Sequence, residues 1–167
     1  MTKTDDDLKA AFAGESQANR MYLAFAKKAD EEGLHQIAML FKAAAQSETV
    51  HALNHLTVME KVKSTADNLG TAVSGETYEF KTMYPEFIED AKKDQNKRAQ
   101  ISFDYANKVE QIHAALYQKA LDALKNHTEI PLANYYVCPV CGNTFEGLVP
   151  DICPICATAK EKFMKIE

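Results

Sequence analysis

The sequence predicts a mainly α protein, an antiparallel bundle of four long amphipathic helices followed by a small cysteine-rich metal unit. Three observations predict it. Apolar residues recur with helical period in four segments, and carboxylates stand at core positions of those same stripes. All four cysteines fall between 138 and 156, in two Cys-x-x-Cys pairs.

The first segment runs from about Asp5 to Asp30, with Leu8, Phe12, Glu15, Ala18, Tyr22 and Phe25 on one stripe. The second follows Gly33, and its stripe carries Leu34, Ile37, Phe41, Ala44, Glu48, His51, His55 and Met59. The run KSTADNLG reads as a break, because Ser, Asp, Asn and Gly favour turns. A third segment is expected from Ser74 as N-cap, through Glu76, Glu79, Met83 and Phe87, with a kink at Pro85 where a backbone donor is missing. The fourth runs from about Asn96 to Lys125, through Phe103, Ala106, Glu110, His113 and Tyr117. The expected domains are a bundle over 1–130, a linker over 131–135 and a cysteine unit over 136–167.

Composition narrows the function. A formal net charge of −5 argues against general nucleic-acid binding, which draws its affinity from Lys and Arg on phosphates. No stretch approaches the roughly 20 apolar residues of a membrane span, and the start MTKTDDD is acidic where a secretory signal would be basic and then apolar. A soluble cytoplasmic protein without a membrane or nucleic-acid partner is expected. The missing G-x-G-x-x-G fingerprint predicts no nicotinamide site on this chain.

The chemistry lies in the carboxylates. An ionised Glu in a core costs several kcal/mol unless it is paired or binds a metal. Glu15, Glu48, Glu76, Glu79 and Glu110 all interrupt apolar stripes. Residues three apart on a helix share a face, so Glu48 with His51 and Glu110 with His113 each offer oxygen and nitrogen to one centre. Two such pairs on separate helices, with carboxylates from the other two, match the donor set of bundle di-iron or di-manganese sites. Five carboxylates against two divalent ions leave a nearly neutral site. The interval from Glu15 to Glu48 is 33 residues and that from Glu76 to Glu110 is 34, which reads as two similar helical hairpins with Glu79 as an unmatched extra member. A third Glu-x-x-His, Glu32 to His35, spans Gly33 and is read as accidental. His55 lies two turns, about 10.5 Å, beyond Glu48 and is set aside, as are Glu86 and Glu89. Tyr22 and Tyr84 are the aromatics placed to pack near the carboxylates or to hydrogen-bond them.

Cys138, Cys141, Cys153 and Cys156 have the spacing of a tetrahedral thiolate site. Ligand geometry alone leaves zinc and a single iron open; a redox-capable neighbour favours a one-electron carrier. Gly142 after the first pair suits a sharp knuckle. Ala157 holds the matching place after the second, where a left-handed backbone costs about 1 kcal/mol.

Taken together, AGESQANRMY, SETVH, GETYEF, VEQIH and two Cys-Pro-x-Cys knuckles, in that order, resemble the rubrerythrin family over the whole chain. The resemblance implies a ferritin-like di-iron bundle and a rubredoxin-like domain with one iron on Cys138, Cys141, Cys153 and Cys156. It implies Glu48 and Glu110 as carboxylates bridging two irons, Glu15, Glu79 and His51 serving one, and Glu76 and His113 the other. Glu79 and His51 match the pair exchanged at that iron on reduction, and Tyr22 and Tyr84 match tyrosines that hydrogen-bond near the site. The implied activity is reduction of hydrogen peroxide to water, with electrons returning through the cysteine-ligated iron from NAD(P)H by way of a separate reductase or rubredoxin. A homodimer or higher oligomer is implied, in which one rubredoxin-like domain approaches the other subunit's di-iron site. Zinc or manganese can substitute in such ligand sets. The alternative is a ferritin-like ferroxidase or iron-handling protein. Ala157 departs from the family's usual glycine.

Overall fold

The computed structural model describes residues 2–167. The chain forms two compact units that divide after Lys63.

The first unit is a helical hairpin of α1 (Lys3–Glu31) and α2 (His35–Val58). A capping box opens α1: Asp5 N–H donates to the Thr2 hydroxyl, and Thr2 N–H donates to the Asp5 carboxylate at 2.7 Å. Gly33, at φ 76°, closes it, with Leu34 N–H reaching back to the Ala29 carbonyl at 2.8 Å. The residues buried between the helices are Ala26, Ala29, Ala38, Ala45 and Ala52. Small side chains let two helices approach closely, and a polar clamp fixes their register. The Asn19 amide donates to the Ala45 carbonyl at 2.7 Å and to the Thr49 hydroxyl at 2.8 Å.

The second unit holds α3 (Thr65–Tyr78), a π-helical segment Glu79–Met83, α4 (Tyr84–Lys93) and α5 (Lys97–Lys125), then β1 (Tyr135–Val137), β2 (Thr144–Glu146) and β3 (Met164–Lys165). One local expectation is corrected here. Helix α3 begins nine residues before Ser74: Ser64 is the N-cap and accepts from Asp67 N–H at 3.2 Å, so the residues read as a turn start a helix. Ser74 lies inside that helix and bonds the Gly70 carbonyl at 2.9 Å. Before Pro85 the backbone departs from the regular α-helix. It widens into the π-helical turn, in which Tyr84 N–H bonds the Glu79 carbonyl, and Pro85 follows in the first turn of α4, where a missing N–H costs little.

Val109, Ala114 and Leu121 of α5 are buried together with Ala91 of α4. Residues 128–134 are exposed and irregular, and lead into an antiparallel sheet of order β2-β1-β3, with Tyr136 opposite both Phe145 and Lys165. The rings of Phe145, in β2, and Phe163 stack at 4.8 Å. Among the described residues no helix is long and apolar enough to cross a membrane.

Candidate metal centres

In the first hairpin, α1 supplies Glu15 and α2 supplies Glu48 and His51. One ligand atom from each lies within 4.8 Å of the others. His51 Nδ1 is 2.9 Å from a Glu48 oxygen and 3.9 Å from a Glu15 oxygen. The Glu48 side chain is 17% exposed and that of His51 is 49% exposed, so the carboxylate is sheltered while the imidazole stands at the rim.

The second unit builds the same constellation from Glu76 of α3 with Glu110 and His113 of α5. His113 Nδ1 is 2.7 Å from Glu110 and 4.0 Å from Glu76. Burial raises the Glu76 carboxyl to about 7, helped by the charge of Glu110, a hydrogen bond with it and the charge of Glu79. Glu79 stands outside the three-residue cluster, yet it is raised too, first by burial and then by the charge of Glu110. Tyr84 is held above its ordinary range by burial and by Glu79, Glu110 and Glu76, so its phenol keeps its proton. Such crowding of carboxylates is what a cation would relieve.

The two hairpins repeat one another in detail. Tyr22, Phe25 and Phe41 form a ring triad at 6.3, 6.2 and 5.5 Å. Tyr84, Phe87 and Phe103 form its counterpart at 6.2, 6.3 and 5.5 Å. Glu15 and Glu76 are 61 residues apart, whereas Tyr22 and Tyr84, Phe41 and Phe103, Glu48 and Glu110, and His51 and His113 are each 62 apart. The extra residue therefore enters between Glu76 and Tyr84, where the backbone is π-helical. That insertion accounts for the 33- and 34-residue intervals and carries the unmatched Glu79 at its start.

Two of the groups set aside on sequence grounds lie on exposed faces. His35 is 3.2 Å from Asp30, not joined to Glu32, and Glu89 pairs with Lys92 at 2.6 Å on an exposed face.

The four cysteine sulfurs also lie within 4.8 Å of one another. Cys138 and Cys156 approach to 3.5 Å, and Cys141 and Cys153 to 3.6 Å. Gly142 takes φ 80° and Ala157 takes φ 59°, so both knuckles use the left-handed turn expected of them. Each closes alike, with Gly142 N–H on the Cys138 carbonyl and Ala157 N–H on the Cys153 carbonyl, both at 2.9 Å. Two contributors escape sequence reasoning. Asn143, 1% exposed, points its amide toward the Cys153 sulfur at 3.8 Å, and Thr144 bonds His113 at 2.8 Å. Neither belongs to a motif.

The donor chemistry fits two kinds of metal. Nitrogen and carboxylate oxygen converge in each hairpin, and four sulfurs converge at the C-terminus. This combination defines a non-haem metalloprotein with carboxylate–histidine ligand sets and a separate tetrathiolate centre. The rubrerythrin family model matches residues 6–121, and the model of the rubredoxin-like domain of rubrerythrin matches residues 136–164. Rubrerythrin-2 of Clostridium acetobutylicum is 38% identical, across 96% of this chain and 95% of that protein. Nigerythrin of Nitratidesulfovibrio vulgaris is 36% identical across 96% and 85%. A solved structure of nigerythrin in its fully reduced, all-ferrous state superposes with a TM-score of 0.60 at 33% identity, over 99% of this chain and 88% of that one. The chain belongs to the rubrerythrin family, with its ferritin-like and rubredoxin-like parts. Its cofactors are accordingly iron, at the carboxylate–histidine residues and on the four cysteines, and its broad class is iron-dependent oxidoreductase of the peroxidase type.

Proposed function

We propose that this protein reduces hydrogen peroxide to water, with electrons delivered through the four-cysteine iron. The observation that carries the reading is the presence, in one chain, of paired Glu-x-x-His half-sites and a tetracysteine site whose strand β2 contacts His113 directly. Peroxide reduction consumes two electrons and two protons per molecule and yields two waters. The irons supply the electrons when bound; the chain supplies ligands, shape and proton control.

In this reading the bundle spans 1–130, the linker 131–135 and the electron-delivering domain 136–167. Glu15, Glu48, His51, Glu76, Glu79, Glu110 and His113 would hold the two bundle irons, with Glu48 and Glu110 as the carboxylates that would serve both. Tyr84, kept protonated by burial and three carboxylates, is a hydrogen-bond donor beside them, and Tyr22 has the corresponding place in the first hairpin. Glu79 and His51 are the ligands suited to exchange. Glu79 starts the π-helical insertion, and His51 is the half-exposed histidine. A separate reductase drawing on NAD(P)H, or a rubredoxin, refills the cysteine-ligated iron. The working form is a homodimer in the cytoplasm.

The test is anaerobic. The iron-loaded protein is reduced, hydrogen peroxide is added in measured portions, and the visible absorption of the cysteine-ligated iron is followed. Prompt reoxidation at one peroxide per two electrons is expected. Failure to reoxidise with all sites iron-filled would refute the peroxidase reading in favour of iron handling.

A further inference from the structure

We infer that Thr144 is a positioning residue for His113, fixing the imidazole so that Nε2 keeps the ring proton and Nδ1 is presented to the metal. This rests on the reading of His113 as an iron ligand. The ring is held on both sides: Nδ1 is 2.7 Å from Glu110, and Nε2 is 2.8 Å from the Thr144 hydroxyl oxygen. That hydroxyl also lies 3.4 Å from the Gly142 carbonyl, which can only accept. Once a metal takes the Nδ1 lone pair the ring proton must sit on Nε2, and the Thr144 hydroxyl oxygen, with its own hydrogen turned to Gly142, is placed to accept it. A metal-ligating histidine needs such an outer partner to set tautomer and ring orientation, and removing one commonly lowers metal affinity or activity by about 10- to 100-fold.

The hydroxyl belongs to the cysteine domain, two residues after Gly142 of the first knuckle. Strand β2 is anchored on α5 a second time, where Lys119 meets Glu146 at 2.6 Å. Lys119 lies six residues beyond His113, so the two contacts hold β2 along nearly two turns of α5. An exposed ion pair contributes little stability, so its part is register and the specific contact is the hydroxyl. Its counterpart in the first hairpin is not locked in this way: among the described residues, His51 meets Glu48 and Glu15 through Nδ1 and has no partner on Nε2.

The experiment compares the full-length protein with Thr144→Val and Thr144→Ser, each zinc-loaded and labelled with 15N-histidine. In the wild type and Thr144→Ser, His113 is expected to show a metal-bound Nδ1 and a slowly exchanging Nε2–H. In Thr144→Val that proton should exchange faster, with all four cysteines still metal-bound. Equal exchange in wild type and Thr144→Val, or no protected Nε2–H in the wild type, overturns the inference. The iron-loaded forms are then reduced and given peroxide. Wild type that fails to reoxidise refutes the peroxidase reading alone, while the proton-exchange result still decides the role of Thr144.

Discussion

The metal-free protein should carry a glutamic acid that stays protonated near neutrality. Glu76 is the residue, and its carboxyl titrates at about 7 where an ordinary glutamate has 4.5. Its side chain is 20% exposed, so solvent screens it only partly. Below pH 4.5 folded and unfolded chains both hold the proton. Between 4.5 and about 7 the folded chain keeps a proton that the unfolded chain has released, so stability falls as pH rises through this window. At about 1.4 kcal/mol per pH unit the loss reaches about 3 kcal/mol once Glu76 is fully charged. Urea denaturation of the metal-free protein at pH 5 and pH 8 should show this fall, and Glu76→Gln should remove most of it. Carboxyl 13C shifts give the titration directly, and Glu110→Gln should move the Glu76 midpoint down, because it removes one charge but leaves the burial. A wild-type midpoint at the ordinary glutamate value would refute the reasoning. Because metal and proton compete for the same oxygens, uptake of a divalent ion at pH 6 should also release the Glu76 proton, and more weakly at pH 8.

Other outcomes follow from the same geometry. His51→Ala should leave the fold and the colour of the cysteine-ligated iron intact while slowing peroxide turnover by at least about tenfold; unchanged turnover removes His51 from the mechanism. Glu48→Ala should lose bundle metal by elemental analysis, and full occupancy would contradict its place as a ligand. Ala157→Gly, at a position with φ 59°, should raise the thermal stability of the metal-loaded cysteine domain by about 1 kcal/mol with its visible spectrum unchanged. Sedimentation should give a dimer or small oligomer, whereas a large closed shell would favour iron storage.

Sequence alone determined the chemistry and much of the helical framework. Helical period, the two Glu-x-x-His pairs and the cysteine spacing are local properties, each expressed within a few residues, so they survive translation into structure with their residues intact. The breadth of the left-handed turns at Gly142 and Ala157 was legible for the same reason, since a knuckle demands that backbone whatever side chain occupies it. Tertiary structure decided what depends on backbone register and on partners distant in the chain. Ser64 rather than Ser74 caps α3, because the hydroxyl must meet the first free N–H groups of the helix. The one-residue difference between the hairpins is absorbed as a π-helical turn at Glu79–Met83, a choice that a count of residues cannot make. Thr144 and His113 are 31 residues apart, and no spacing rule joins them. They meet because β2 is held against α5, and that contact places a hydroxyl of the cysteine domain on the imidazole of a metal ligand.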